Sequence, residues 1–200
     1  MPSQEEEVTE EVQRLQQDRE VVFKCTDELA STWWLEHVRR VGPTRCFASL
    51  RPEPSSALEL CVELDLDRHS MTFRGRIEPV PDPGVGELAI IEREVDFSSR
   101  HATHHFLKIT ASKQGEGIAK ALLRRTVELY NTIEIKRIVV HAVDVGAYAW
   151  ARLGYIPSVA SWNELRSSLL TKVGQADIRA MLSRDEMQDV KLALQSDDPR

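Results

Sequence analysis

Three cysteines in 200 residues, Cys25, Cys46 and Cys61, are too few for a disulfide framework, and none stands in a Cys-x-x-Cys pair that would mark a structural zinc site. Isolated buried thiols are the expectation. Long apolar runs are also missing. Leu88–Ile91 and Ile138–Val140 are typical of those present, against the roughly 18 residues that a membrane-spanning helix requires. Basic charge is in deficit too, with a formal net charge of -6. That balance opposes non-specific binding to nucleic acid, which needs clustered Lys and Arg to displace phosphate counterions. It mildly favours a cationic partner such as an amine. The N-terminal Met-Pro-Ser-Gln-Glu-Glu-Glu lacks the basic and apolar regions of a signal peptide, so a cytoplasmic location and no membrane partner are expected.

What is present reads as a soluble globular chain, 42% hydrophobic and 29% charged. Residues 1–20 are acidic, and Val8, Val12 and Leu15 at helical spacing predict a thin amphipathic helix or a partly disordered lead-in. Residues 21–160 form the expected main domain. A helix is predicted from Asp27 to Val41, stopped by Gly42-Pro43, and Cys46–Ala48 is a candidate strand. Leu58 to Leu66 alternates apolar and polar, and Met71–Val80 and Leu88–Val95 follow it, with a turn signal at Pro79–Gly84 between them. Short connections imply an antiparallel meander. The order then changes to strand His104–Ile109, helix Gly117–Tyr130, strand Arg137–Val143 and a short helix Gly146–Leu153. That alternation requires a parallel crossover. The fold class is therefore α/β (α+β), with a mixed, mostly antiparallel central sheet flanked by helices. Residues 161–200 read as a C-terminal helical extension, with capping boxes at Ser161-x-x-Glu164 and Ser183-x-x-Glu186. Apolar positions such as Leu165, Leu169, Leu170 and Ile178 need cover there, either within the chain or in a homodimer.

Lys113-Gln114-Gly115-Glu116-Gly117-Ile118-Ala119 lies between an apolar strand and an amphipathic helix. Glycines let successive backbone N–H groups converge, and the helix N-terminus adds partial positive charge, which makes a diphosphate cradle. An ordinary strand-to-helix turn would have the same composition. It is neither a P-loop, since no Gly-Lys-Ser/Thr follows, nor a Rossmann fingerprint, since the third glycine is absent. Lys120, Arg124 and Arg125 lie off the helix's apolar stripe, where they could meet a further phosphate or simply face solvent.

Gln114-x-x-Gly117-x-Ala119 resembles the Q/R-x-x-G-x-G/A signature of the GNAT acetyltransferases. Trp150-Ala151-Arg152-Leu153-Gly154-Tyr155 resembles that family's second motif, aromatic-x-x-x-Gly-aromatic. The likeness covers residues 104–157; upstream only the strand order agrees. The resemblance implies a GNAT fold with a splayed parallel strand pair, a β-bulge in the first strand of that pair, and acyl-CoA in the gap. It implies further that the backbone at Leu107, Ile109 and Thr110 pairs with pantetheine amides. Gln114, Gly115, Glu116, Gly117, Ile118 and Ala119 would bind the pyrophosphate, with Gln114 in place of the usual Arg and Lys113 restoring some charge. Trp150 would wall the acyl or pantetheine chain.

The catalytic half departs from the pattern. The family's acid, a Tyr four residues before the motif glycine, falls on Trp150 here, whose indole is no practical acid. Tyr148 lies two residues earlier and would need an irregular helix start to act; packing is its plainer role. For a base the chain offers His101, His104 and His105, with Glu94 and Glu92 on the preceding strand as alternatives acting through water. In a regular strand Phe106 and Lys108 share a face with His104, and Leu107 and Ile109 share one with His105. His141 reads as a core residue and Asp144 as a helix cap. No metal is expected, because His101-x-x-His104-His105 lacks a further ligand at suitable spacing. Three functional readings follow. One is an acetyl-CoA-dependent N-acetyltransferase acting on a primary amine of a small molecule or peptide. The second is a GNAT-fold transferase with another acyl or aminoacyl donor, or a modified nucleobase acceptor. The third is a catalytically silent CoA-binding module.

Overall fold

The computed structural model describes residues 3–38, 40–53, 56–79, 87–141, 150, 153–173 and 183–195. Two compact units result, Met1–His141 and Ala142–Arg200.

In the first unit, helix α1 (Gln4–Gln17) starts at a reciprocal cap. The Glu6 N–H donates to Ser3 Oγ at 3.2 Å, and the Ser3 N–H donates to the Glu6 carboxylate at 2.7 Å. Its Val8, Val12 and Leu15 are all buried, so these residues form a core helix and not a loose lead-in. Strand β1 (Val21–Phe23) leads to helix α2 (Asp27–His37), capped by Thr26, whose hydroxyl accepts from Leu29 N–H at 3.3 Å. The strand expected at Cys46–Ala48 is instead the end of helix α3 (Pro43–Ala48). Gly42 is its N-cap and Pro43 opens it; the fixed proline φ suits the first helical turn, and this outweighs the β-propensity of a three-residue apolar run.

The meander consists of β2 (Ala57–Asp65), β3 (Ser70–Glu78), β4 (Ala89–Asp96) and β5 (His101–Ile109). Helix α4 (Ile118–Thr132) then returns the chain to β6 (Arg137–Val140). The sheet runs β1-β2-β3-β4-β5-β6, parallel at its two outer pairs and antiparallel between. The architecture is α/β, a six-stranded mixed sheet flanked by helices.

Register explains why one face is buried. Leu58, Leu60 and Val62 oppose Ile77, Gly75 and Phe73, which oppose Ala89, Ile91 and Arg93. These positions join Leu15, Trp33, Trp34, Phe47 and Leu122 from all four helices in one core. Full burial of a side chain such as Leu60 or Ile91 contributes about 2 kcal/mol. Positions of the other parity, including Glu59, Arg74, Arg76 and Glu94, carry the charge. Cys46 is buried in this core, which pushes its thiol up to about 12, whereas Cys25 and Cys61 are half-buried and all three are free.

In the second unit, helix α5 (Val159–Val173) and helix α6 (Arg184–Gln195) pack together. The cap of α5 is Ser158, whose Oγ accepts from the Ser161 N–H at 3.1 Å; the expected cap, Ser161, lies one turn inside the helix. The expected Ser183 does precede α6, and the Met187 N–H donates to its carbonyl at 3.0 Å. Leu165, Leu170 and Leu192 are exposed there, and Leu194 is buried. The turn expected at Pro79–Gly84, the helix at Gly146–Leu153 and Ile178 lie largely or wholly outside the described residues. No helix among the described residues is long and apolar enough to cross a membrane.

Gly75 is the tightest point of the sheet. A Cβ there would stand 1.9 Å from the Glu59 carbonyl oxygen and 2.9 Å from Leu60 Cα, so even a methyl group must push two strands apart. Gly75→Ala should cost about 3 kcal/mol, measured as a lower midpoint in urea unfolding with an unchanged slope.

Candidate functional site

The chemistry of the first unit gathers along β5. This strand begins three residues earlier than its apolar pattern shows, so the histidines stand inside it. Glu92 pairs with Phe106 and Arg93 with His104, which leaves His105 as an extra residue, a β-bulge. The bulge reverses the facing expected of a regular strand. Ala102 and His104 point into the core, and after the extra residue Leu107 and Ile109 pack against that same core. His105 and Phe106 both come to the charged face, where Phe106 is 46% exposed.

His104 is thereby placed in the core, only 2% exposed, with Nε2 3.1 Å from the Tyr130 hydroxyl on α4. Burial, then the neighbouring Arg93 and His105, lower its pKa to about 2. A group held neutral so firmly takes up no proton from a substrate, so the base role expected of His104 does not fit this position. Arg93 is equally buried and donates to Thr126 Oγ1 at 2.6 Å, while that hydroxyl donates to the Leu122 carbonyl at 2.7 Å. The two residues fasten α4 to the sheet. Sequence reading missed Arg93, Thr126 and Tyr130 in this role, although a charged residue at an apolar position of an alternating strand is the signal that marks Arg93.

On the charged face, His105 Nε2 lies 3.3 Å from Glu94 Oε2. An ionised carboxylate only accepts, so Nε2 carries the hydrogen in the neutral ring and Nδ1 keeps its lone pair. The His141 ring lies 5.7 Å from that of His105. His141 is exposed, which corrects the expectation of a core residue. The alternation that pointed to burial assumed a longer strand, whereas the pairing with β5 among the described residues runs to Val140. Tyr148 and Asp144 lie outside the described residues. Glu92, on the same face, pairs in register with Phe106.

Past Ile109 the strand runs through a 3₁₀ turn (Ala111–Lys113) into the glycine loop. Gly115 and Gly117 take left-handed φ values of 88° and 85°. A Cβ at either would meet nothing within 4 Å, so conformation and not crowding requires glycine. The first α4 amide with a backbone partner is Ala121, bonded to the Gly117 carbonyl at 3.0 Å. Among the described residues, the amides of Gly115 to Lys120 have no backbone acceptor. These amides are a concentrated donor surface suited to phosphate oxygens. A groove of about 440 Å³ runs on along α4 between Lys120, Arg124, Arg125 and Glu128.

The side chains of the loop are engaged otherwise than the resemblance implies. Gln114 Nε2 donates to the Ile109 carbonyl at 3.1 Å, clipping the loop to the end of β5. Lys113 is 3.3 Å from the Glu116 carboxylate, which offsets the charge it was expected to supply. Thr110 donates its hydroxyl to the Glu87 carbonyl and its N–H to the Leu88 carbonyl at 3.1 Å. Ile118 and Ala119 are half-buried in the first turn of α4. In the second unit, Trp150 meets Tyr155 edge to face at 5.0 Å, and its carbonyl accepts from Leu153 and Tyr155 around the left-handed Gly154. Comparison of the chain with protein-family models, with curated proteins and with solved structures gave no match.

The buried imidazole makes stability depend on pH with a definite sign. Unfolded His104 titrates near its ordinary 6.5, but folded His104 only near 2. Between those values the unfolded state binds the extra proton, so this stabilisation is complete above 6.5 and is lost as pH falls. Its slope is at most about 1.4 kcal/mol per pH unit. Urea midpoints at pH 6.5 and 5 should fall more steeply in the wild type than in His104→Gln; equal slopes would contradict the burial argument.

Proposed function

We propose that the chain is a GNAT-type N-acyltransferase that uses acetyl-CoA and acts on a primary amine. The observation that carries this reading is the sequence of features on β5. A bulge puts an imidazole on the exposed face at His105, the described pairing with β6 runs to His104, and the strand then enters a left-handed glycine loop whose amides have no backbone acceptor among the described residues. In this reading the β5 backbone at Leu107 and Ile109 pairs with an extended ligand, as pantetheine is. The amides of Gly115 to Lys120 fit a pyrophosphate, and Lys120, Arg124 and Arg125 along the adjoining groove fit a further phosphate.

In this reading His105 removes a proton from the acceptor ammonium through Nδ1, while Glu94 orients the ring and stabilises its cation through Nε2. The free amine attacks the thioester carbonyl carbon, the carbon–sulfur bond breaks, the nitrogen gives up its surplus proton to solvent, and the departing thiolate takes a proton from solvent. With a thiol pKa near about 8.5, that last step needs no protein acid. Leu107 and Ile109 contribute through their backbone, since their side chains pack on the core.

Isothermal titration should show saturable binding of acetyl-CoA that is lost in Gly117→Trp, where a bulky side chain must occupy a left-handed position beside the amides. Absence of binding to the wild type would overturn the reading. In a thiol-release assay against a panel of primary amines, His105→Ala should lower kcat by about 10²-fold or more with little change in KM for acetyl-CoA. Glu94→Gln should have a smaller effect in the same direction. Acetyl-CoA binding without turnover of any amine would leave a binding module in place of the enzyme.

A further inference from the structure

The opposite end of β5 carries a second cavity, of about 420 Å³. Nine residues of extended chain, roughly 30 Å, separate it from the glycine loop. Three of its lining residues carry rings, His37, His69 and Phe97, and Trp33 packs behind them. The rings of His37 and His69 lie 4.8 Å apart, His37 lies 4.8 Å from Trp33, and Phe97 sits 5.4 Å from Trp33 and 6.3 Å from His37. His69 is exposed and Trp33, beneath the lining, is buried, so the run of rings extends from the core to the surface.

Polar groups edge the rings. Glu36, whose side chain is 62% exposed, has its carboxylate 3.9 Å from His37 Nε2. Glu134 is held from both sides by Arg40 at 2.6 Å and Arg100 at 3.0 Å. The walls are also tied to one another. The Phe97 N–H donates to the His69 carbonyl at 3.1 Å, and the Lys136 N–H to the Arg100 carbonyl at 2.8 Å. Four non-glycine residues among those described have left-handed φ, and three of them (His69, Arg100 and Glu134) line this cavity. Such conformations are uncommon outside glycine and persist where the surroundings hold them. The cavity is thus shaped before any ligand arrives, which reduces the ordering that binding would require.

We infer that this cleft binds a planar nitrogen heterocycle of nucleobase size that presents adjacent N–H donors on one edge, as guanine does. Stacking on imidazole and phenyl rings selects a flat ring over an aliphatic one. The Glu36 carboxylate accepts two neighbouring N–H groups, and the Arg100 guanidinium offers a donor to a ring carbonyl. The Glu134 charge is already shared by two arginines, so the lining favours an uncharged ring over a free anion. A metal ion is a poorer occupant, because no group of three or more ligating side chains is assembled among the described residues. The inference is independent of the acyltransferase reading.

The test is titration of the chain with guanosine, followed by tryptophan fluorescence and by isothermal calorimetry, with adenosine and uridine as comparators. Saturable binding of guanosine is expected, at least about tenfold tighter than adenosine. It should weaken by about tenfold or more in His69→Gly and in Glu36→Gln, and remain unchanged in Gly117→Trp. His69→Gly removes the ring but suits the left-handed backbone, so the variant folds and its loss of binding reports the stack. No saturation by about 10 mM guanosine, or affinity unaffected by His69→Gly, would overturn the inference. Adenosine binding as tightly as guanosine would overturn the edge recognition by Glu36 and with it the ligand class.

Discussion

One extra residue in β5 sets the arrangement on which the rest of the first unit depends. A strand's side chains alternate with a period of two, so an insertion moves every later position to the other face. Without the bulge at His105, burying His104 would force Leu107 and Ile109 outward and bring Phe106 and Lys108 into the core. With it, Ala102, His104, Leu107 and Ile109 all lie over the core, and the inserted imidazole meets Glu94 on the charged face. The insertion also coincides with the end of the described pairing to β6. Core packing and the exposure of the His105 imidazole therefore share a single cause.

The polar layer beneath the bulge is consistent with that constraint. Arg93 and His104 are cross-strand partners, and both point into the core against α4. Removing a guanidinium from water is costly unless its donors are satisfied. Thr126 accepts from Arg93, and Tyr130 meets His104 four residues on, so both contacts come from one face of α4. A neutral imidazole avoids placing a second cation beside Arg93. A purely apolar contact would tolerate sliding of α4; directional bonds at 126 and 130 fix it along its axis. Since Gly117 begins the same helix, the fixing extends to the position of the glycine loop relative to β5.

The periodic parts of this structure were legible in the residues. Alternation at Leu58, Leu60 and Val62 marked β2 and its buried face, and the stripe Leu122, Thr126, Leu129 and Tyr130 marked the inner face of α4. The glycine loop was legible as a turn between a strand and a helix, but its composition alone did not separate a donor surface from an ordinary turn. The bulge was not legible, because nothing in His104-His105-Phe106 distinguishes an inserted residue from a paired one. The face-sharing assigned beyond it came out reversed: Leu107 and Ile109 lie on the core side with His104, and Phe106 on the charged side with His105. Cys46–Ala48 failed for a different reason: three apolar residues fit a strand or a helix equally, and the deciding signal was Pro43, three positions upstream. His141 was assigned to the core by extending an alternation past the described pairing, and its side chain is exposed.

The two ends of β5 use the same backbone conformation for opposite ends. At the loop, left-handed turns at Gly115 and Gly117 leave amides uncovered, and the space where a Cβ would stand is empty. A side chain there would strain the turn and screen the donors. At the other end, left-handed turns carry His69, Arg100 and Glu134, each at a conformational cost of order 1 kcal/mol. Glycine would remove that cost at all three positions but would also delete the ring, the guanidinium and the carboxylate that line the cleft. The strain is opposed locally by the cross-turn bonds from Phe97 to His69 and from Lys136 to Arg100. A turn whose only task is to reverse the chain has no need of three such residues converging on one cavity, and that convergence separates the cleft from an incidental gap between loops.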